Sequence, residues 1–287
     1  MDTAAWGNAM VGRRLRFGLA TVLGLARRGF FIPYRYAGTL VRPGERPAYA
    51  AIEALMRRLE GDFRAVVTGL EAYADDLSAI GGDTPPAPRW DQDWFPRLDA
   101  AVAYAMVRRV RPSRIFEIGS GHSTRFLARA VADAGLDTRI TAIDPAPRAG
   151  IEGLAVELLR APLDRVGEVP FAALAAGDVL FVDASHILMP GSDVDRVLNH
   201  VLPALPAGMH IHFHDVFLPD DYPADWAWRG YNEQLGVAAL LHGGGFRLRF
   251  ASHYVATRMA EALAAGVIAR LPLVAGARES SLWLEKC

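Results

Sequence analysis

Short apolar runs alternate with stretches of helical spacing from Arg114 onward. Five such runs cover residues 115–118, 140–143, 156–159, 179–182 and 209–213. Strands that are apolar along their whole length are expected where helices cover both faces of a sheet. The alternation predicts an α/β fold with a doubly wound, mostly parallel sheet and right-handed crossovers. Runs at residues 246–251 and 281–285 complete seven strands, and one of these two is a candidate antiparallel edge strand.

The chain before this alternation predicts helices and a linker. Residues 46–78 carry apolar side chains at helical spacing, and residues 94–110 do so again until Arg111-Pro112 ends the pattern. Between them, residues 81–88 read GGDTPPAP, which interrupts regular structure because proline lacks a backbone donor. We therefore predict a helical extension with its linker over residues 1–88 and a sheet domain over residues 89–287.

Arginines flank an apolar stretch near the start of the sequence. Arg13, Arg14 and Arg16 precede residues 17–26, and Arg27-Arg28 follows them. The stretch imitates a signal peptide, but a spanning helix needs about 20 apolar residues, and no A-x-A cleavage site follows. A helix packed on its own domain is expected. Contact of residues 11–30 with a membrane surface, or with a second subunit in a homo-oligomer, is the alternative.

Charge and cysteine content limit the classes of partner and compartment. Lysine and arginine number 31 against 32 acidic residues, so the net charge of −1 provides no overall field for nucleic acid. We expect no nucleic-acid partner. Cys287 is the single cysteine, which excludes an internal disulfide framework and a cysteine-rich zinc site. A cytoplasmic location is expected.

A glycine-bearing turn follows the first predicted strand and opens a helix. In residues 116–124, FEIGSGHST, Gly119 and Gly121 permit close approach of a ligand, and the helix start offers unpaired N–H groups. Asp144 ends the second strand, where it can accept hydrogen bonds from ribose hydroxyls. The turn and Asp144 together predict a nucleotide-type cofactor. The alternative is a tight structural turn with Asp144 as a cap.

Two residues distinguish between cofactor classes. The dinucleotide fingerprint G-x-G-x-x-G requires a third glycine at the position of Thr124. Glu117 lies two residues before the first glycine, and its charge suits a cationic amino group better than a pyrophosphate. An NAD(P)-dependent oxidoreductase is therefore the alternative, not the preferred interpretation.

The sequence E-I-G-S-G at residues 117–121, followed by Asp144, resembles motifs I and II of class I S-adenosylmethionine-dependent methyltransferases. The resemblance extends over about residues 95–287. It implies S-adenosyl-L-methionine as cofactor and a Rossmann-like methyltransferase sheet. Glu117 would then face the methionine amino group, and Asp144 would hold the ribose hydroxyls. The further cofactor contacts implied are Gly119, Ser120, Gly121 and, in the helix start, Ser123.

Polar residues follow the fourth and fifth predicted strands. Asp183 and His186 follow the fourth, and His214-Asp215 ends the fifth. Because the carboxyl ends of parallel strands share one edge, these side chains should converge. Such a cluster can hold a divalent cation, which lowers the pKa of a bound hydroxyl. His186 is then a candidate general base, and His122 beside the cofactor turn is a second.

The spacing D-x-x-H after strand four, with an acidic end to strand five, resembles magnesium-dependent sugar O-methyltransferases of macrolide biosynthesis. The resemblance implies Asp183 and Asp215 as metal ligands and His186 as base. His214 stands where a carboxylate would be expected, which favours a softer ion than Mg²⁺, or none. The candidate metal site is thus Asp183, His214 and Asp215.

The predicted function is methylation of a hydroxyl on a small molecule or glycosyl group. Besides the oxidoreductase, a non-catalytic module for dimerisation or membrane docking is a further alternative. Asp183 could instead cap a helix, and His210 and His212 are expected to be packing residues. The proline-rich loop at residues 217–226 is either a substrate lid or an aromatic-packed connection.

Overall fold

The computed structural model describes residues 3–81, 84–167 and 171–287; the side chains of residues 3–11 and 14 are not described. Two compact units divide the chain, Met1–Arg42 and Pro43–Cys287. Among the described helices, none is long and apolar enough to cross a membrane. The first unit contains helix α1, Thr3–Val22, and a short 3₁₀ turn, Ala37–Thr39.

The second unit is built on one seven-stranded sheet with the order β3-β2-β1-β4-β5-β7-β6. Its strands are β1 Arg114–Ile118, β2 Arg139–Ile143, β3 Val156–Leu159, β4 Val179–Val182, β5 His210–Phe213, β6 Phe246–Ala251 and β7 Leu282–Lys286. Its helices are α2 Ala50–Arg58, α3 Glu60–Gly69, α4 Ala74–Ser78, α5 Arg97–Val110, α6 His122–Asp133, α7 Leu163–Val166, α8 Asp193–Arg196, α9 Leu202–Ala204, α10 Glu233–His242, α11 Ser252–Arg258 and α12 Gly266–Arg270.

The predicted strands are confirmed, with one difference in the sheet. β1 to β5 pair in parallel, and β7 pairs antiparallel with both β5 and β6. The antiparallel strand therefore lies inside the sheet, and the edge strand β6 runs parallel to β5. The apolar start of β7 explains this position, because Leu282, Trp283 and Leu284 are all buried.

The division into compact units differs from the boundary predicted at residue 88. Helices α2 to α4 belong to the sheet unit because their apolar faces are buried against it: Ile52, Met56 and Phe63 are almost fully buried. The ring of Phe63 lies 5.7 Å from that of Phe250 on β6. Within the predicted linker, Gly82 and Asp83 lie outside the described residues.

The strand register places three loops at one edge of the sheet. Ile118, Val182 and Phe213 are the last residues of β1, β4 and β5, and the three are mutually in register across the two pairings. The residues that follow them must therefore lie side by side. This edge holds the cofactor turn and both predicted acidic positions, as expected for ligand sites in open α/β sheets.

Candidate active site

The turn after β1 packs directly against the end of β4. Gly119 has φ +84°, and a Cβ atom there would lie 1.9 Å from the carbonyl oxygen of Asp183. The backbone N–H of Asp183 donates to the carbonyl of Ile118 at 2.8 Å. Glycine is required at position 119 both for the backbone conformation and for this close approach.

Gly119→Ala is expected to displace the turn and to weaken S-adenosylhomocysteine binding by more than about tenfold, the effect of roughly 1.4 kcal/mol. Calorimetric titration measures the affinity. Gly135→Ala is the matched control, because Gly135 has φ +54° but open space around its Cβ position. If both variants bind like the unmodified chain, the close packing of the turn is not needed for binding.

Glu117 is a fully buried carboxyl group with an unmatched oxygen. Its Oε1 accepts a hydrogen bond from the Ser123 hydroxyl at 2.5 Å, while Oε2 has no partner among the described residues. Burial raises the pKa of Glu117 to about 8, although hydrogen bonds from Ser123 and Thr124 oppose the shift. A cationic amino group placed at Oε2 would supply the missing partner and stabilise the carboxylate. This environment fits the amino group of a methionine moiety.

Ser120 and Asp144 are joined across the turn. Both the backbone N–H and the hydroxyl of Ser120 donate to Asp144 Oδ2, at 2.9 and 3.0 Å, and Ala146 N–H donates to Oδ1 at 2.7 Å. The half-buried carboxylate is thereby fixed at the end of β2. An ionised carboxylate has about four acceptor positions, so one remains for a ribose hydroxyl.

Ser123 and Thr124 support the turn from inside. Ser123 is buried and holds Glu117, so it positions a candidate cofactor ligand and does not line open space. The Thr124 hydroxyl accepts a hydrogen bond from Gly121 N–H at 2.9 Å, which caps α6. Threonine thus has a structural role where a dinucleotide site would have its third glycine.

The residues predicted at the ends of β4 and β5 come together around His186. Its Nε2 lies 3.3 Å from Asp183 Oδ1 and 3.4 Å from Asp215 Oδ2. Its Nδ1 lies 2.8 Å from Glu233 Oε2 at the start of α10. His186 and Asp215 both have positive φ, +60° and +54°. Strained backbone of this kind persists where surrounding structure enforces it, and it is concentrated at functional sites.

Three carboxyl groups set the protonation of His186. Burial lowers its pKa, but Asp183, Glu233 and Asp215 raise it by more, so the pKa lies well above the ordinary value. Burial likewise raises the pKa of Asp183, but His214 and His186 lower it by more, leaving a net decrease. The carboxylates thus favour the imidazolium form of His186, and the neutral form that can accept a proton increases with pH.

His214 makes a second set of contacts with the same carboxylates. Its Nδ1 lies 3.6 Å from Asp183 Oδ1 and 3.6 Å from Asp215 Oδ1, and its Nε2 lies 3.4 Å from Asp99 Oδ2. Burial lowers the pKa of His214, but Asp183 and Asp215 raise it well above the ordinary value. The two imidazole rings therefore balance the buried negative charge.

The predicted metal ligands lie close together, but they do not fit a metal centre. Within residues 3–81, 84–167 and 171–287, no three His, Cys, Asp or Glu side chains are arranged so that they could hold a metal ion. Both ring nitrogens of His214 face carboxylates, Nδ1 toward Asp183 and Asp215 and Nε2 toward Asp99. Asp183 and Asp215 instead have imidazole partners.

The other histidines lie outside this cluster. His122, the second predicted base, begins α6; burial, Arg125 and Arg89 lower its pKa to about 4. His212 is buried, stacks on Phe181 at 3.6 Å between ring centroids, and has its Nε2 2.8 Å from the Ser281 hydroxyl. The packing role predicted for His212 is confirmed. The helix after β4 is capped by Ser192, not by Asp183.

An aromatic pocket adjoins His186. It is lined mainly by residues of the loop after β5 and of the segment that follows this loop, among them Tyr222, Trp226 and Tyr231. The ring of Tyr231 lies 4.5 Å from that of His186, and the guanidinium of Arg229 lies 3.7 Å from the Trp226 ring centroid. The loop is thus packed by aromatic contacts, as one interpretation of residues 217–226 predicts, and the substrate lid stays a prediction.

Asp99, Glu233 and Arg229 are site residues that the motifs do not identify. Asp99 is fully buried on α5 and accepts hydrogen bonds from Ser280 and Ser281 N–H, each at 2.9 Å at closest. The signal for Asp99 is a single carboxylate in the otherwise apolar run of residues 98–107. Glu233 gives a weaker signal at a helix start, and Arg229, 3.9 Å from Asp215, gives none.

A family model matches the part of the chain that carries most of this site. Residues 116–216, from β1 to just after β5, match the family model described as a methyltransferase domain. No curated protein sequence matches the chain. Solved structures resemble it weakly. Podospora anserina methyltransferase PaMTH1 bound to SAH aligns with a TM-score of 0.44 and 17% identity, over 90% of this chain and 99% of that one.

Two further solved structures have similar scores. The plantazolicin methyltransferase BpumL, in complex with a monoazolic desmethylPZN analogue and SAH, gives a TM-score of 0.43 and 14% identity, over 83% of this chain and 99% of that one. The branched-chain polyamine synthase of Thermus thermophilus gives a TM-score of 0.41 and 17% identity, over 75% of this chain and 64% of that one.

The family match contains the cofactor turn, Asp144 and, from the cluster around His186, the residues that follow β4 and β5: Asp183, His186, His214 and Asp215. The buried and unmatched Glu117 oxygen fits the cationic amino group of S-adenosylmethionine, and Thr124 occupies the place of the third dinucleotide glycine. Residues 116–216 of this chain therefore match a methyltransferase domain, and the geometry of the turn within them fits S-adenosylmethionine as cofactor.

Proposed function

We propose that the protein transfers the methyl group of S-adenosylmethionine to a hydroxyl oxygen of a small molecule or glycosyl group. The observation that carries this proposal is the orientation of His186. Glu233 holds Nδ1 at 2.8 Å, so that Nε2 points toward Asp183 and Asp215 at the edge of the sheet that carries the cofactor turn. Hydroxyl acceptors need such a group because an alcohol is a weak nucleophile until its proton is removed.

The reaction joins three events. The acceptor oxygen forms a bond with the methyl carbon, the carbon–sulfur bond breaks, and S-adenosylhomocysteine leaves as a neutral thioether. The hydroxyl proton passes to Nε2 of neutral His186, and the resulting imidazolium is stabilised by Asp183, Asp215 and Glu233. The remaining contribution is alignment of the oxygen with the sulfonium methyl group.

The pocket beside His186 favours an acceptor with flat apolar faces. Tyr222, Trp226 and Tyr231 line it, and aromatic rings stack on sugars and planar groups. Arg229 stands behind this lining, with its guanidinium 3.7 Å from the Trp226 ring centroid and its buried Nε without a hydrogen-bond partner among the described residues. A glycosyl group or small ring system with a hydroxyl directed to His186 satisfies these features.

A resident divalent cation is not part of this proposal because the candidate ligands do not fit one. We expect turnover to be unchanged when the protein is treated with a chelator and assayed without added metal. In parallel, the chelator-treated protein is assayed with added Mg²⁺ and with added Mn²⁺, and the three turnover rates are compared. Loss of activity that either ion restores would assign the carboxylates of Asp183 and Asp215 to a metal instead.

The proposal is tested by methyl transfer from S-adenosylmethionine labelled with ¹³C at the methyl group. A panel of hydroxyl, amine and thiol acceptors is incubated with the protein, and the products are examined by NMR. We expect signals of O-methyl carbon. Transfer confined to amines or thiols would refute the O-methylation proposal while leaving the cofactor assignment intact.

A further inference from the structure

The segment of residues 12–42, here called the basic segment, differs in charge from the rest of the protein. It contains seven arginines and no acidic residue or lysine. The remaining chain carries 24 basic and 32 acidic residues, so the net charge of −1 is the sum of +7 in the basic segment and −8 elsewhere. Such an asymmetry indicates a locally cationic surface.

The basic segment also carries most of the exposed large apolar side chains. Of the seventeen such side chains in the described residues, twelve lie between Leu15 and Val41. Leu25, Phe31 and Ile32 are among the most exposed, at 77%, 67% and 62%. Isolated exposed apolar residues are ordinary, but this concentration within one short segment is typical of an interaction surface.

Basic and apolar groups are interleaved along the segment. The Arg27 guanidinium lies 5.5 Å from the Phe30 ring centroid, and that of Arg35 lies 5.6 Å from Tyr36. Aromatic rings and arginines are characteristic of the headgroup region of bilayers, where rings enter the apolar boundary and cations remain with phosphates. The mixture suits a surface that offers both apolar chains and anions.

We propose that the basic segment binds anionic lipid surfaces and holds the methyltransferase domain beside a membrane. The apolar side chains would enter the boundary of the acyl chains, and the arginines would contact lipid phosphates. Exposed apolar groups occur both on α1, at Leu15 and Leu19, and in the non-helical stretch around Phe30. A lipid surface accommodates this spread without requiring one matching protein face. This inference does not rest on the O-methylation proposal.

Flotation of the full chain with lipid vesicles tests the proposal. One set of vesicles is phosphatidylcholine alone, and a second contains about one third phosphatidylglycerol. We expect binding to the anionic set only, weakening as salt is raised from about 0.05 to 0.5 M. The double variant Arg27→Glu with Arg28→Glu should weaken binding to the anionic vesicles at least about tenfold. The double variant Phe30→Ser with Phe31→Ser should also weaken this binding, without a change of charge.

Arg58→Glu with Arg165→Glu is the matched control, because it makes the same charge change at exposed positions outside the basic segment. S-adenosylhomocysteine affinity shows that every variant is folded. Equal binding to both kinds of vesicle, or to neither, would overturn the proposal. The proposal would also be overturned if the protein self-associated without lipid and the double variant Arg27→Glu with Arg28→Glu abolished this association. That result would assign the basic segment to contact with a second copy of the chain.

Discussion

His186→Ala is expected to reduce the rate of methyl transfer by about 10²- to 10⁴-fold, the usual contribution of a positioned general base. S-adenosylhomocysteine affinity should change little, because Glu117 and Asp144, which are proposed to hold the cofactor, do not depend on this ring. Single-turnover rates with a saturating acceptor separate the chemical step from binding. His242→Ala is the control, since it removes an exposed imidazole from α10.

The role of Glu233 gives this prediction a second readout. Glu233 raises the pKa of His186, so Glu233→Gln should lower that pKa. A base acts in its deprotonated form, so the rise of activity with pH should occur at lower pH in the variant than in the unmodified chain. A purely structural Glu233 would reduce the rate without moving the pH profile. Full turnover in His186→Ala would remove His186 from the reaction.

Glu117→Gln is expected to weaken S-adenosylhomocysteine binding by roughly 10²-fold, within the 2–5 kcal/mol found when a buried charge loses its partner. The amide keeps the size of the carboxyl group but cannot pair with the cationic amino group. Ser123→Ala is the companion variant, because it removes a hydrogen bond to Glu117 and leaves the charge in place. We expect it to have the smaller effect.

The pH dependence of binding distinguishes loss of charge from loss of structure. With its pKa raised to about 8, Glu117 is mainly neutral below that pH and must release a proton to pair with the ligand. Affinity should therefore rise between about pH 6 and 8, by up to tenfold per unit, and then level. Glu117→Gln should abolish this slope.

The stability of the cofactor-free protein provides the control for Glu117→Gln. A carboxyl group with a raised pKa ionises more readily in the unfolded chain, so it reduces stability as pH rises from about 4.5 to 8. The glutamine variant should therefore be at least as stable at neutral pH. Unchanged affinity in this variant would place the amino group elsewhere.

Most strands of the sheet can be predicted because the apolar character that a buried strand needs lies within its own short stretch of sequence. Buried parallel strands need apolar residues on both faces, and the runs at residues 156–159 and 179–182 coincide with β3 and β4. The position of β7 inside the sheet depends on which strands it pairs with, which local pattern does not encode. The placement of α2 to α4 likewise depends on packing such as that of Phe63 on Phe250.

The site residues likewise divide into those that the sequence predicts and those that only tertiary contacts bring to the site. Asp183, His186 and Asp215 could be predicted because strand ends of a parallel sheet share an edge. Asp99 and Arg229 could not be assigned, because they reach the cluster from α5 and from a 3₁₀ helix through tertiary contacts. The carboxylates that surround His214, among them Asp99, are visible only in three dimensions.

The most direct test of the cofactor assignment is calorimetric titration of the full chain with S-adenosylhomocysteine near neutral pH, repeated in buffers of different ionisation enthalpy. We predict saturable binding to one site with uptake of a proton by the buffer, released from Glu117, and no binding of the reduced nicotinamide dinucleotide. Absence of binding at high micromolar ligand, or binding of the dinucleotide in its place, would contradict the assignment.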